Sequence, residues 1–372
     1  MKVLIISLAY FPFVGGAEIA VKEITDRIAD VDFDMITVNL DGKQQSFEQI
    51  GNVKIHRLGK GKLAKYTFPF TALPLAKKLH QENYYDVVWA IMANQAGIVA
   101  LRFKKKFPQV KYLLTLQEGD SLKRIWSRTW FMRSLYRQIY QKADFIQAIS
   151  NYLAQRANKY GYSGPIKIIP NGVDLEKFKN DFFDQDLKQF RQQLGIEDED
   201  KVIVTASRLV FKNGVDNLIK AVKDLSVKVL ILGGGQLENK LKALAQEIGV
   251  KDKILFLGHI DQQQLPKYLR ISQVFVRASR SEGLGSAFLE ALAAGVPIIG
   301  TRVGGIPDFL QDGINGLFCE VDNPRDLGAK IQLLLNDENL RQKLINNGRN
   351  LVLEKYDWQQ VALDMTKIFQ GL

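Results

Sequence analysis

The sequence predicts an α/β protein built from two doubly wound domains in series. Apolar runs rich in Val, Ile and Leu alternate with helical patterns along the whole chain, as in buried parallel sheets with crossover helices. The pattern restarts after "IPNGVDLEKF" (169–178) and a polar stretch. The length of 372 residues exceeds one ordinary core and suits two.

The elements follow in order. The first strand is the apolar run of "MKVLIISLAYFPF", which also has the look of a signal peptide. Pro12 interrupts it and "GGAEIAVKEITDRIAD" continues directly into an amphipathic helix, so a buried strand is expected. "FDMITVN", "VKIHRL", "DVVWAIM", "KYLLTLQ" and "FIQAIS" complete the first set. The second set is "KVIVTASRL", "VKVLILGG", "KILFLGHI", "VFVRAS" and "VPIIGT". The boundary is placed near Pro170–Val173, giving domains 1–172 and 173–356. The tail is helical, with Trp358, Val361, Met365, Ile368 and Phe369 at helical spacing. Segment 357–372 is expected to cross back onto the first domain, the alternative being a cap on its own.

Hydrophobic residues make up 46% and charged residues 24%, a soluble globular balance. The single cysteine, Cys319, cannot form an internal disulfide, and no Cys/His cluster suggests zinc, which fits a reducing cytosol. No segment approaches the ~18–20 apolar residues of a membrane span. The net charge is +11. Residues 1–170 hold 25 Lys+Arg against 13 Asp+Glu, and the remainder 26 against 27, so the excess lies in the first half. A basic half beside a neutral one suggests an anionic partner for the first.

Few local motifs carry chemistry. "VLILGGGQLENKL" offers Gly233 and Gly235, but Glu238 stands where a dinucleotide fingerprint has its third glycine. Such turns still aim backbone N–H groups and helix N-termini at phosphate. "DVDFD" (30–34) reads as a charged loop leading into a strand rather than a metal site. In "SRSEGLGSAFLEALAAGVPIIGT", Glu282 falls at the C-terminal end of a strand, where open α/β sheets bind ligands. The helix expected over 286–295 puts Phe288, Leu289, Leu292 and Ala293 on one apolar side. Glu290 lies among Ser286, Ala287, Ala291 and Ala294, a surface open to close approach by another molecule. A surface glutamate beside a packing face is the plainer alternative.

"YFPFVGGAEIAVKEI", "IIPNGVDLEKF", "ASRLVFKNGVDNLIKAV", "VLILGGG", "ILFLGHI" and the Glu282/Glu290 block, in this order, resemble glycosyltransferase family 4, whose members are retaining enzymes of the GT-B fold. The resemblance implies two Rossmann-like domains facing each other across a cleft, the first binding acceptor and the second a nucleotide-sugar donor. Glu282 would approach hydroxyls of the donor sugar, and Glu290 would hold the nucleotide ribose. Gly283, Leu284, Gly285 and Ser286 would offer amides to the diphosphate, Arg208 would stabilise its charge, and His259 and Ile260 would meet the base. Gly16 would lie near donor and acceptor. Two departures stand out. The family's diphosphate lysine precedes a glycine, but here Asn213 holds that position and Lys212 comes one earlier. Either Lys212 reaches across, or Asn213 donates an uncharged hydrogen bond. Gln117 replaces a histidine common in the family, and can orient a hydroxyl but not carry a proton.

The implied reaction is transfer of a hexose or N-acetylhexosamine from a nucleotide sugar, UDP favoured and GDP open, with retention and without cofactor or metal. The implied catalytic set is Arg208, Lys212, Glu282 and Gln117. Residues 123–142, "KRIWSRTWFMRSLYRQIYQK", interleave cations with aromatics, as suits a helix on anionic lipid. Arg124, Arg128 and Arg133 are its candidate membrane or acceptor face, with a solvated face over a packed core as the alternative. No nucleic-acid module accompanies the basic half. The expectation is a cytoplasmic protein, peripheral on the inner membrane face, with a lipid-linked or glycan acceptor. A soluble-acceptor enzyme and a non-catalytic nucleotide-sugar binder are the alternatives.

Overall fold

A computed structural model describes residues 1–120, 132–179 and 182–372 of the chain. The chain forms two compact units. The first comprises Met1–Gly172 and Trp358–Leu372, the second Val173–Asp357.

Among the described residues, the first unit contains β1 (Lys2–Ile6), β2 (Asp32–Val38), β3 (Phe47–Ile50), β4 (Val53–Leu58), β5 (Val87–Ile91), β6 (Lys111–Leu116), β7 (Phe145–Ala148) and β8 (Ile166–Ile168). They form one sheet in the order β3-β4-β2-β1-β5-β6-β7-β8. All neighbours are parallel except β3, which pairs antiparallel with β4 at the edge. Val3, Leu4, Ile5 and Ile6 of β1 are fully buried, as a strand covered on both faces requires. The helices are α1 (Gly16–Asp26), α2 (Ala64–Asn83), α3 (Gln95–Lys106), α4 (Arg133–Gln141) and α5 (Asn151–Lys159). The C-terminal helix (Trp358–Gly371) also belongs here. Trp358, Val361, Met365, Ile368 and Phe369 enter the core of β1, β2 and α1. The Phe369 ring meets Phe33 and Trp89 edge-on at 6.0 and 5.4 Å.

The second unit has β9 (Val202–Ala206), β10 (Lys228–Leu232), β11 (Ile254–Gly258), β12 (Val274–Arg277), β13 (Ile298–Thr301) and β14 (Leu317–Cys319). The sheet is parallel, in the order β11-β10-β9-β12-β13-β14. Its helices are α6 (Leu175–Lys179), α7 (Asp184–Gln193), α8 (Val215–Ala221), α9 (Glu238–Glu247), α10 (Leu265–Arg270), α11 (Ser286–Ala293), α12 (Pro324–Asn336) and α13 (Glu338–Lys355). Chain order runs outward from β9 to β11 on one side and from β12 to β14 on the other. The direction therefore reverses between β9 and β12, and the loops leaving their C-terminal ends flank the crevice where such sheets take ligands. In the first unit the reversal falls between β1 and β5, and Gly16 opens the helix that follows β1.

The edge strands β3, β8 and β14 were not visible in the sequence patterns. They are three or four residues long, too short to show a period. Helix α4 holds the described part of 123–142, where the core alternative can be compared with the membrane one. Tyr136, Ile139 and Tyr140 are buried, with Tyr140 stacked on Tyr160 and Tyr136 edge-on to both rings, while Arg133 and Arg137 are exposed. This apolar stripe is core rather than membrane surface. Arg124 and Arg128 lie outside the described residues. No helix among the described residues is long and apolar enough to cross a membrane.

Candidate active site

Two loops at the reversal point of the second unit carry most of the singled-out residues. After β9 the chain runs through Ser207, Arg208 and Leu209 into a short 3₁₀ turn, Phe211–Asn213, and then α8. Gly214 joins turn to helix at φ +65°, and a Cβ there would stand 1.8 Å from the Ala278 carbonyl oxygen. Only glycine fits. Gly214→Ala should cost at least about 1 kcal/mol from backbone handedness alone, with the clash added. A melting temperature lowered by about 2 °C or more is the expected reading, and an unchanged melt would contradict this packing.

After β12 the second loop carries Arg280, Glu282 and the turn Gly283–Gly285 into α11. Arg280 fastens the two loops together. Its guanidinium donates to both carboxylate oxygens of Asp216 at 2.9 and 2.7 Å, and to Asp322 at 2.6 Å. It also donates to the Phe211 carbonyl at 2.7 Å and lies over the Phe211 ring, 4.1 Å from its centroid. The Arg280 amide donates to the Lys212 carbonyl at 2.7 Å, so the backbone of Lys212 is fixed from the facing loop.

Glu282 is buried, 7% exposed. Its Oε1 accepts from the Gly283 amide at 3.1 Å, and its Oε2 lies 2.5 Å from Nη2 of Arg277, the last residue of β12. Sequence reasoning missed Arg277. Its signal was a charge within "VFVRAS", an otherwise apolar buried strand. The same Nη2 donates to Asn213 Oδ1 at 3.4 Å, and the buried Arg277 Nε has no hydrogen-bond partner. Asn213 is itself buried, 2% exposed, and its Nδ2 donates to the Arg208 carbonyl at 2.7 Å. The amide that stands in the lysine position therefore spends its groups on Arg208 and Arg277. Arg208 is exposed and Lys212 half-buried.

On α11, Phe288, Leu289, Ala291 and Leu292 are buried, and Ala293 is half-buried. Ala291, which the sequence placed on the Glu290 side, thus belongs to the buried side. Glu290 keeps part of its exposure, yet protein crowds its carboxyl. Burial pushes its pKa up from an ordinary 4.5 to about 7, while Lys177 of α6 and Arg277 pull it the other way. Two carboxylates and Arg277 thus interact beside three glycine-turn amides. Gly285, at φ +95°, is the N-cap of α11, so the helix opens towards the same loop. His259, exposed, and Ile260, half-buried, follow β11. In the first unit, Gln117 follows β6, and its Oε1 accepts from Asn171 Nδ2 at 3.2 Å. The adjacent Glu118 accepts from the Ala93 amide, and burial raises its pKa against the pull of Arg156.

Residues 186–351 match the family model for glycosyl transferases group 1, and residues 14–177 match that for glycosyltransferase family 4. A mannosyltransferase of Corynebacterium glutamicum, named as GDP-mannose-dependent and acting on monoacylated phosphatidylinositol monomannoside, is 31% identical over 82% of this chain and 81% of its own length. The chain belongs to glycosyltransferase family 4. This family 4 glycosyltransferase also resembles solved structures along its entire length. Sucrose-phosphate synthase from Thermosynechococcus elongatus superposes with a TM-score of 0.88 at 21% identity, covering 100% of this chain and 98% of that one. Anabaena HepE, solved with UDP-glucose, superposes with a TM-score of 0.81 at 19% identity, covering 100% of both chains. The enzyme has the GT-B fold, with a parallel-sheet Rossmann-like domain in each unit, and it is a glycosyltransferase acting on nucleotide sugars.

Proposed function

We propose that this enzyme moves a hexose or N-acetylhexosamine from a nucleoside-diphosphate sugar to a lipid-linked or glycan acceptor, with retention at the anomeric carbon. It would act at the cytoplasmic membrane face, in surface-polysaccharide or glycolipid assembly. The observation that carries the reading is the ion-paired Glu282–Arg277 unit held by Asn213 at the β9/β12 reversal point. A polar assembly this buried, beside glycine-turn amides and a carboxylate of raised pKa, is suited to a ligand with both hydroxyls and charge.

In this reading Glu290 accepts from the ribose diol, and the backbone near His259 and Ile260 meets the base. The amides of Gly283, Leu284, Gly285 and Ser286, with Arg208, Lys212 and Arg277, take the diphosphate charge as the sugar departs. Fixed cations supply that stabilisation without a metal. Glu282 accepts from sugar hydroxyls. Gly16 and Gln117, of the first unit, would serve the acceptor, Gln117 by orienting a hydroxyl. The acceptor oxygen attacks on the face the diphosphate leaves. Its proton passes to the departing phosphate oxygen, so no side chain need act as covalent nucleophile. A lipid acceptor is supported by the phosphatidylinositol-mannoside substrate named for the corynebacterial relative.

The test is a thermal-shift screen of UDP- and GDP-sugars, followed by release of nucleoside diphosphate with and without lipid-linked acceptor. Stabilisation by one donor and acceptor-dependent release, with an axial or equatorial linkage matching that donor, is expected. Donor binding with no release under any acceptor would leave a nucleotide-sugar binder instead.

A further inference from the structure

Helix α2 has two apolar faces and only one of them is used. Phe68, Pro69, Ala72, Ala76 and Leu79 are buried against the first unit. On the opposite side, Leu63 is 78% exposed, Tyr66 72% and Phe70 68%. At 100° per residue these three fall within roughly 60° of one another, diametrically across from the buried stripe. Thr67, Thr71 and Pro74, also exposed, complete the face. A solvent-facing helix side normally carries charge, and contiguous exposed apolar surface marks an interaction site.

Positive charges flank the start of this stripe. Lys60 and Lys62 stand exposed in the turn that leads into α2, and Lys65 follows in its first turn. None of the three has an ion-pair partner among the described residues. Arg102 of α3 lies over the Phe70 ring, 5.4 Å from its centroid. From residue 49 to residue 81 the sequence contains no Asp or Glu. Apolar and aromatic side chains projecting from a rim of unpaired cations match an anionic lipid surface. Acyl chains receive Leu63 and Phe70, Tyr66 sits at the headgroup level, and the lysines meet lipid phosphates.

We propose that this face of α2, Leu63, Tyr66 and Phe70 with Lys60 and Lys62 of the preceding turn, docks the enzyme on anionic membrane. The proposal rests on the lipid-acceptor reading and locates its membrane contact on α2, whereas the described part of 123–142 spends its aromatics in the core.

Co-sedimentation with phosphatidylglycerol/phosphatidylcholine vesicles, against phosphatidylcholine alone, tests it. Wild-type protein should bind only the anionic vesicles and release as salt rises. The triple variant Leu63→Ser/Tyr66→Ser/Phe70→Ser should bind about tenfold or more weakly, with donor-induced thermal stabilisation unchanged as the sign of intact folding. A single substitution guards against misfolding of the triple one. Phe70→Cys carries one accessible thiol, because Cys319 is buried, and an environment-sensitive dye there should shift to the blue on anionic vesicles. Anionic binding that survives the triple variant, with no dye shift, overturns the α2 surface but keeps membrane docking. No binding to any vesicle by wild-type protein overturns both, while donor binding keeps the glycosyltransferase assignment. A wild-type dimer that the triple variant makes monomeric, without vesicle binding, overturns the proposal in favour of self-association.

Discussion

Arg277→Met should lower kcat by about 100- to 1000-fold, the loss seen when one donor to a developing anion is removed. The argument starts from burial. Arg277 ends β12 with Nη2 shared between Glu282 and Asn213 and with Nε unengaged. Arginine presents donors in a rigid fork that matches phosphate, and Nε is a buried donor left without a partner among the described residues. Lysine at 213 would bring a cation to the same place. The double variant Arg277→Met/Asn213→Lys should therefore recover at least about tenfold of the lost kcat. Removing Arg277 also strands a buried carboxylate, which costs stability. Melting curves separate the two effects. If Arg277 only neutralises Glu282, Arg277→Met lowers the melting temperature and leaves kcat at temperatures below it unchanged. That outcome, or a double variant no faster than the single one, would remove Arg277 from the diphosphate.

The second large effect is a pH dependence of donor binding. A ribose diol needs a carboxylate that accepts, so the charged form of Glu290 is the competent one. With its pKa at about 7, the free enzyme holds a proton there below neutrality and must release it on binding. The dissociation constant for an intact nucleotide sugar should rise towards tenfold per pH unit below 7, nearing 100-fold at pH 5. The diphosphate diester does not titrate in this range, so the slope belongs to the protein. Glu290→Gln should bind weakly and without the slope. Arg277→Met should move the midpoint upward, since that cation favours the carboxylate. Stability runs in the opposite sense. The folded state binds the proton more tightly than the unfolded chain, so folding stability contributed by this group falls as pH rises from about 4.5 to about 7. The cost above that window is at most about 3 kcal/mol, and Glu290→Gln should recover it at pH 8. Calorimetry showing a flat dissociation constant between pH 5 and 8 would detach Glu290 from the ribose.

The buried strands were legible because Val/Ile/Leu runs such as "KVLII" and "VIVTA" have no other economical conformation beside crossover helices. Glu282 and Glu290 were legible because a carboxylate among glycines and alanines has no packing reason to be there. Arg277 was not, since a strand pattern is read by its apolar members and one cation looks like an edge residue. Its meaning needed Asn213 and Glu282, which come from different loops and meet only in the fold. The described part of 123–142 was open to two readings for a related reason. Tyr136, Ile139 and Tyr140 have the spacing of an amphipathic stripe whether it faces lipid or a core, and the structure shows core.

The C-terminal helix gives the first unit an unusual place in the order of synthesis. Its core holds Trp358, Val361, Met365 and Phe369, which are made after the whole second unit, whereas the rest of that unit is made before it. The second unit is a continuous stretch and can fold as soon as it emerges. The sheet made before it must therefore wait, with the pocket around Phe33 and Trp89 open, until the helix carrying Phe369 has been made. A nascent chain stalled before residue 358 carries a complete second unit and an unfinished first one, and exposes that apolar pocket to chaperones.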